Sequence, residues 1–208
     1  MEILYGTHNK AKLDAMDRII RTHNINATVI TPKDIGFDRD VVEDGKTFEE
    51  NSKIKAEAIR EFCIEKGIKD KIIITDDAGL CVDAIGGEPG IYSARYAGEN
   101  GTQEQILDKL LTKLEPFKNL EDRKCEFVCV LTAILPDGEI IVARGECKGT
   151  VDFKPARYGG LTYAPVFIPE GFDKPMSELK EEEYIHVHNH RDVAMDELVK
   201  KFKEKGIK

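Results

Sequence analysis

KIIITDDAGL, residues Lys71–Leu80, combines the pattern of a buried strand with two adjacent acids. Three consecutive isoleucines predict a short strand covered on both faces, because β-branched side chains suit the pleated surface of an interior strand. We expect the strand to end at Asp76 and Asp77, since a glycine-rich passage follows. Ligands of open α/β sheets bind where strands end, so the two acids are candidate functional residues.

Strand and helix patterns alternate before this stretch. EILYG at residues 2–6 and ATVIT at residues 27–31 predict strands, and apolar residues at helical spacing predict a helix over residues 10–23. Thr47 and Glu50 have the spacing of a capping box and predict the start of a second helix, which should end near Gly67. The chain therefore opens with strand–loop–helix units.

The later part of the chain has a different pattern. A helix is predicted at about Gln103–Leu114, and two alternating apolar runs around Pro136–Gly138 then predict an antiparallel hairpin in the core of a second lobe. PVFIP, residues 165–169, is expected to return toward the sheet. Asp192 is expected to cap a final helix from Val193 to about Lys205.

Composition limits the classes of function. The chain has 208 residues, of which 41% are hydrophobic, enough for one domain or two closely joined lobes. A net charge of -8 argues against a general nucleic-acid or membrane-surface binder. The sequence shows no membrane-spanning apolar run and no signal-peptide pattern, so we expect a cytoplasmic location. The five cysteines include no C-x-x-C pair, and we interpret them as reduced core thiols rather than metal ligands or disulfides.

THNKAK, Thr7 to Lys12, lies between the first strand and the first helix. Its hydroxyl, amide and two lysines stand where the N–H groups of a helix end favour an anion, so the segment is a candidate phosphate site. The glycine spacing of a Walker A loop is absent. The alternative is a polar helix entrance with solvated lysines.

Two pairs of acids form the second candidate site. Glu43 and Asp44 precede the capped helix, and Asp76 and Asp77 follow the isoleucines. Carboxylates from two segments suit Mg²⁺, and a carboxylate beside the metal can deprotonate a water aimed at phosphorus. The alternative is that these are loop and cap acids that never meet. Lys55 lies at the border of the apolar stripe and can point toward phosphate or outward to solvent.

YIHVHNHR, residues 184–191, is the third candidate. His186, His188 and His190 would share one face of a strand, as zinc ligands can, but no carboxylate or cysteine follows at a suitable spacing. A solvated polar segment is therefore the favoured interpretation. Arg191 is a better candidate, because a guanidinium can bind phosphate or the edge of a base.

Together these segments resemble the inosine triphosphate pyrophosphatases, also described as XTP/dITP diphosphatases or non-canonical purine NTP pyrophosphatases. THNKAK is similar to the family segment T-x-N-x-x-K, and EDGKTFEENSKIKAEA is similar to E-x-G-x-T-F-x-E-N-A-x-x-K-A. The most specific match is TDDAGLCVDAIGGEPGIYSARYAG, which resembles D-D-S-G-L-x-V-D-A-L-G-G-x-P-G-x-Y-S-A-R. The resemblance covers nearly all of residues 1–208 and implies one pyrophosphatase domain with an elongated, mixed-sheet α/β fold of two lobes and a central cleft.

The resemblance also implies roles for individual residues, together with Mg²⁺ as cofactor and a homodimer. Asp77 would be the general base, assisted by Lys55 as a second catalytic residue, and the metal ligands would be Glu43, Asp76 and Asp77. The implied substrate-binding residues are Thr7, His8, Asn9, Lys12, Ala78, Arg95, Leu161, Thr162, Tyr163, Ala164, His190 and Arg191.

The C-terminal third departs from the family pattern. F-G-Y-D-P-x-F becomes LTYAPVF, with Leu161 in place of the aromatic and Ala164 in place of aspartate. EEEY lacks the lysine of E-E-K, S-H-R becomes NHR, and Ala78 replaces serine. The family uses this region to recognise the purine, so the anhydride chemistry is expected to persist while base selection changes.

The expected function is hydrolysis of a non-canonical purine triphosphate, such as ITP, dITP or XTP, to the monophosphate and pyrophosphate. Two alternatives remain open: the same chemistry on a different nucleotide, and nucleotide binding without turnover. Glu43, Asp77 and Lys12 favour an enzyme, because a pure binder does not need a water-activating carboxylate. We expect a small-molecule nucleotide as the partner, with no nucleic-acid polymer and no membrane.

Overall fold

The computed structural model describes residues 1–207, except for the side chain of Ala11. Within this range the chain forms six strands and five α-helices, joined by loops and short 3₁₀ turns. The strands are β1 (Glu2–Tyr5), β2 (Thr28–Ile30), β3 (Lys71–Val82), β4 (Lys124–Ile134), β5 (Ile140–Val151) and β6 (Phe167–Pro169). The helices are α1 (Lys10–Thr22), α2 (Phe48–Lys66), α3 (Gln103–Leu114), α4 (Glu181–Tyr184) and α5 (His190–Glu204).

All six strands belong to one mixed sheet in the order β2-β1-β3-β4-β5-β6. β1 pairs in parallel with both β2 and β3, whereas β6 pairs antiparallel with the end of β5. The parallel part holds the strand–helix units of the N-terminal region, and the antiparallel part holds the later strands. The predicted α/β class with a mixed sheet is confirmed.

The chain divides into two compact units. The first unit contains Met1–Asp77, Cys129–Gly145 and the residues from Arg191 onward, and the second contains Ala78–Val128 and Glu146–His190. In the first unit, Ile59 and Phe62 of α2 pack with Leu4 and Ile73 in a cluster of buried side chains. The second unit has its own, larger cluster, which includes Leu107 and Leu110 of α3. Each unit therefore buries a separate apolar core.

Strand β3 corrects the prediction that the strand ends at the two acids. It runs for 12 residues, from Lys71 to Val82, so Asp76 and Asp77 lie within the strand. Gly79 indicated a loop, but Leu80 and Val82 are completely buried and continue the strand pattern beyond it.

The β4–β5 hairpin is also placed differently from the prediction. Its strands are neighbours in the sheet and are joined by a turn at Pro136–Gly138, as expected. However, Cys129–Gly145 belongs to the first unit, so the hairpin is shared between the units rather than forming the core of the second alone.

The histidine-rich segment is not a strand. Tyr184 ends α4, and His190 is the first residue of α5. Among residues 1–207, no group of three or more His, Cys, Asp or Glu side chains is arranged to hold a metal ion. The final helix starts three residues before the predicted Val193. Asp192 lies in its first turn and pairs with Arg18 at 2.7 Å.

The five cysteines are free thiols, as predicted. Four are buried, and Cys81 is half-buried. Burial raises the pKa of Cys147 to about 11, which disfavours its reactive thiolate. None of the described helices combines the length and apolar character needed to span a bilayer.

Candidate active site

The loop after β1 is held against strand β3. The Gly6 N–H donates to the Ile74 carbonyl at 2.7 Å, and the Asn9 N–H donates to Thr7 Oγ1 at 3.1 Å. A Cβ at Gly6 would lie 2.6 Å from Thr75 Cγ2, so only glycine permits this approach. The loop leads directly into α1 and brings Lys12, in the first turn of that helix, to Asp76.

Asp76 is 2% exposed and is surrounded by cations. Its Oδ2 accepts from Lys12 Nζ at 2.8 Å and from Arg191 Nη2 at 3.2 Å, while Oδ1 accepts from the Tyr5 hydroxyl at 3.2 Å. Burial alone would raise the pKa of this carboxyl, but the charges of Lys12 and Arg191 outweigh it and lower the pKa. Asp76 is therefore an ionised carboxylate that joins β3 to α1 and α5.

Asp77 has a different environment. Its carboxylate is half-buried, and Asp77 Oδ2 accepts from the Asn51 side-chain amide at 3.1 Å. Two hydrogen bonds join helix α2 to β3 close to Asp77. Thr75 Oγ1 donates to the Ser52 carbonyl at 2.6 Å, and Ser52 Oγ donates to the Thr75 carbonyl at 3.2 Å. These reciprocal bonds fix Asn51, one residue earlier, beside Asp77.

Asn51 also holds the loop that carries Glu43. Its side-chain oxygen accepts from the Gly45 N–H at 2.9 Å. In the same loop, Glu43 Oε2 lies 3.0 Å from Lys55 Nζ of α2, and the Lys55 side chain is only 17% exposed. Lys55 therefore points toward Glu43 rather than outward to solvent. Asp44, which also precedes α2, is exposed.

Thr47 begins α2 as predicted, although the full capping box does not form. The Thr47 hydroxyl accepts from the Glu50 N–H at 3.1 Å. The Glu50 carboxylate accepts from Lys46 N–H, one residue before the expected partner. The cap orients the first turns of α2, which carry Asn51 and Lys55.

The segment 161–164 lies in the second unit and is partly core. Tyr163 and Ala164 are buried, and the Tyr163 hydroxyl donates to the Ser93 carbonyl at 2.8 Å. Leu161 is 42% exposed, and Thr162 is half-buried. A cavity of about 400 Å³ borders this segment. Its lining includes Tyr158, Leu161, Ala164, Ser177 and Tyr184.

Gln103, the first residue of α3, anchors the same segment. Its side-chain amide donates to the Leu161 and Thr162 carbonyls at 3.2 and 3.0 Å, and its oxygen accepts from the Gly159 N–H at 3.0 Å. The loop at the cavity is thus fixed by one glutamine side chain through the backbone of three residues, Gly159, Leu161 and Thr162.

The other predicted substrate-binding residues have varied surroundings. His190 is buried and stacks on Phe127 with ring centroids 4.9 Å apart. Arg95 lies over the Tyr92 ring at 5.3 Å, and His8 is exposed in the loop before α1. Ala78 is half-buried in β3, directly after Asp77. Among the predicted charged residues, the structure brings Lys12 and Arg191 together at Asp76, and Glu43 together with Lys55.

Sequence reasoning missed several residues that build these sites. Tyr5, Asn51, Ser52 and Gln103 form the hydrogen bonds that fix the charged residues and the loop. Asn51 offered one signal, because a polar residue lay four positions before Lys55 on the same helix face. Tyr5 offered none, since an aromatic in an apolar strand predicts core packing alone.

Comparison with known proteins decides the family. A sequence model of the Ham1 family matches residues 3–201 of the chain. The chain belongs to the Ham1 family. The dITP/XTP pyrophosphatase of Clostridium perfringens (strain 13 / Type A) is 38% identical over 197 residues, which is 95% of each chain. The dITP/XTP pyrophosphatase of Bacillus subtilis (strain 168) is 34% identical over 199 residues, or 96% of each chain.

Solved Ham1 structures share the fold. The Staphylococcus aureus Ham1 protein is 36% identical, with a TM-score of 0.83, and the match covers 99% of this chain and 100% of that one. A HAM1 protein from Coxiella burnetii is 28% identical, with a TM-score of 0.84 over 98% and 99% of the two chains. The family resemblance predicted from the motifs is confirmed.

Proposed function

We propose that this Ham1-family protein hydrolyses non-canonical purine nucleoside triphosphates to the monophosphate and pyrophosphate. The observation that carries the proposal is the half-buried Asp77, fixed by Asn51 beside the Glu43 loop. The names of the relatives support the substrate class, since they are dITP/XTP pyrophosphatases at 34% to 38% identity. Such a reaction makes the protein a hydrolase of phosphoric anhydrides.

Asp77 is proposed as the general base. A water attacks one of the two phosphorus atoms that flank the α–β bridging oxygen, and the bond to that oxygen breaks. The proton of the water passes to the Asp77 carboxylate, which the amide of Asn51 orients at 3.1 Å. Lys55 is proposed to stabilise the negative charge that develops on the phosphate oxygens.

The donor set fits a magnesium ion. Mg²⁺ usually takes one or two protein carboxylates, several waters and the oxygens of a phosphate ligand. Asp77 and Glu43 would supply such carboxylates from two segments that Asn51 links through the Gly45 N–H. Bound Mg²⁺ would neutralise charge on the triphosphate. We do not include Asp76 among the proposed ligands, because both of its oxygens already accept from Lys12, Arg191 and Tyr5.

The remaining predicted residues are proposed as substrate contacts. Thr7, Asn9 and Lys12 lie in the β1–α1 loop and the first turn of α1, where helix N–H groups favour phosphate. Arg191, which meets Lys12 at Asp76, is proposed to contact the phosphates as well. Contacts to the base and sugar are proposed for residues of the second unit. They comprise Ala78, Arg95, Leu161, Thr162, Tyr163, Ala164 and His190, while His8 is proposed to contact the phosphates.

A second candidate keeps this chemistry with a broader choice of base. Leu161 and Ala164 border the cavity of the second unit and offer it only apolar side chains. A hydrogen-bonding side chain rejects the wrong base because it would be left buried and unpaired, and neither Leu161 nor Ala164 imposes that penalty. We also propose that the protein is a homodimer, on the basis of the family resemblance and the exposed Tyr92.

The proposed function is tested by measuring pyrophosphate release from ITP, XTP, dITP and the four canonical ribonucleoside triphosphates, with Mg²⁺ and with EDTA. We expect turnover with Mg²⁺, equal amounts of monophosphate and pyrophosphate, and a higher kcat/KM for ITP or XTP than for ATP. Release of single phosphates would refute cleavage at the α–β bridge. Tight binding without turnover would establish the non-catalytic alternative.

A further inference from the structure

The two adjacent acids of β3 do not share one environment. Asp77 is half-buried beside an amide, whereas Asp76 is 2% exposed and contacts two cations and a phenol. A metal ligand needs an oxygen that is accessible to the ion and its waters. Asp76 therefore needs a role other than metal ligation.

The geometry at Asp76 fixes two cations at short range. Lys12 Nζ and Arg191 Nη2 lie 2.8 and 3.2 Å from the same oxygen atom, Oδ2. Their side chains are only 26% and 14% exposed, so water screens their mutual repulsion weakly. Without a carboxylate between them, the two like charges would separate. Asp76 therefore sets the spacing of an ammonium and a guanidinium that come from different helices.

Tyr5 holds the carboxylate itself. The Tyr5 hydroxyl, in the neighbouring parallel strand β1, donates to Oδ1 at 3.2 Å and leaves Oδ2 directed at the cations. Tyr5 is completely buried, so its ring cannot move without disturbing the core of the first unit. The arrangement is preorganised before any ligand arrives, which lowers the entropy cost of binding a polyanion.

We propose that Asp76 is a positioning residue, which presents Lys12 and Arg191 as a fixed pair of cations for the phosphate groups of the substrate. The inference rests on the proposed function and adds to it a residue that touches neither substrate nor metal. Asp76 acts through Lys12 and Arg191, and Tyr5 acts through Asp76.

The test is Asp76→Asn, which keeps the shape of the side chain and removes its charge. We expect KM for ITP to rise about tenfold and the Mg²⁺ concentration for half-maximal rate to change less than twofold. Glu43→Gln provides the contrast, because loss of a metal ligand should raise the Mg²⁺ requirement. Glu65→Gln is the matched control, since it breaks the exposed Arg39–Glu65 pair and should change neither quantity.

A double-mutant cycle separates positioning from a general structural effect. In a Lys12→Met background, Asp76→Asn should raise KM by much less than tenfold, because one of the two cations that it positions is already absent. Equal effects in both backgrounds would overturn the proposal. So would an Asp76→Asn variant with an unchanged or lower KM, or one whose Mg²⁺ requirement rises as in Glu43→Gln.

Two further measurements keep the proposal testable if Asp76→Asn does not fold or if no triphosphate is hydrolysed. If Asp76→Asn does not fold, the variant Tyr5→Phe replaces it, because it removes only the hydroxyl that orients the Asp76 carboxylate. KM for ITP should then rise about two- to threefold. An unchanged KM would count against the proposal.

Calorimetric titration with inorganic tripolyphosphate in EDTA requires neither turnover nor metal. Weaker binding by Asp76→Asn than by Glu65→Gln supports the positioning role even if no triphosphate is hydrolysed, and equal binding contradicts it.

Discussion

At the scale of single residues, strand geometry separates two neighbouring carboxylates. Successive side chains of a strand point to opposite faces of the sheet. Asp76 contacts Lys12 of α1 and Arg191 of α5, whereas Asp77 contacts Asn51 of α2. One acid is enclosed by cations and the other remains accessible, so a pair that looks redundant in the sequence divides into two separate roles.

Asp77→Asn should lower kcat for pyrophosphate release by several hundredfold or more. The amide keeps the shape but cannot accept the proton of the water and binds Mg²⁺ weakly, and loss of a base and ligand together has effects on this order. Circular dichroism should show an unchanged fold, because the side chain is only half-buried. Asp70→Asn, at an exposed acid just before β3, is the control. Near-full activity of Asp77→Asn would remove the residue from the mechanism.

The sequence predicted the charged residues of this region better than the residues that hold them in place by hydrogen bonds. Lysines and acids near the junction of a strand and a helix are recognisable from the sequence as candidate functional residues. The structure places two of them, Lys12 and Asp76, in contact. Tyr5 and Ser52 have no such signature, because a phenol or hydroxyl among apolar residues is also common in an ordinary core. Their partners are distant in sequence and follow only from the packing of β1, β3 and α2.

At the scale of elements, local signals predicted helix boundaries where a threonine side chain caps the first turn, as Thr47 and Thr102 do. Helix α3 spans Gln103–Leu114 as expected, since Thr102 and Gln105 form a full capping box. Helix α5 begins at His190, before the predicted cap Asp192, whose carboxylate pairs with Arg18 of α1. Such a long-range ion pair leaves no local pattern.

Gly149→Ala should destabilise the pairing of β5 with β6. Gly149 lies opposite Pro169 in this ladder, and an added Cβ would collide with the Ile168 carbonyl and lie 2.8 Å from the Phe167 ring. Overpacking of this kind costs about 1–3 kcal/mol. Urea denaturation should show that loss in the free energy of unfolding, whereas Lys148→Ala, at an exposed neighbour, should change it by less than about 0.5 kcal/mol. Equal stability of both variants would contradict the close contact.

Ala164→Asp should sharpen base selection. The alanine borders the cavity beside Leu161 and cannot form a hydrogen bond with its side chain, so the parent should distinguish ITP from GTP weakly. We expect the aspartate to raise the ratio of kcat/KM for ITP over GTP by about tenfold, while Ala164→Val adds volume without polarity and should not. Strong parental selectivity that the aspartate leaves unimproved would refute weakened base recognition at Ala164.

At the scale of the whole molecule, the two units are built from interleaved stretches of chain. Strand β3 passes from one unit to the other after Asp77, and β4 and β5 each contribute to both. The hairpin pattern predicted the strands but not this division between the units. The alternation of apolar and polar residues indicates which face of a strand is buried, but it does not indicate which of the two cores that face joins.

A homodimer should give a light-scattering mass of twice 23.4 kDa at micromolar concentration. Of the neighbouring tyrosines Tyr92 and Tyr96, Tyr96 is buried in its own unit and donates to Glu88 at 2.8 Å, so it offers no contact surface. Tyr92 is 56% exposed and remains the candidate contact. Tyr92→Ser should lower the measured mass, and Ile64→Ser, at an even more exposed apolar site on α2, should not. A parent mass of 23.4 kDa would refute the dimer.

The unbroken course of β3 also limits how this protein can change over evolution. Substitutions can alter the strand one side chain at a time and leave its alternation intact. An inserted or deleted residue between Lys71 and Asp76 would instead exchange the faces of both acids at once, placing Asp76 toward α2 and Asp77 toward the cations. The spacing of this segment is therefore under as strict a constraint as the identity of the acids that it carries.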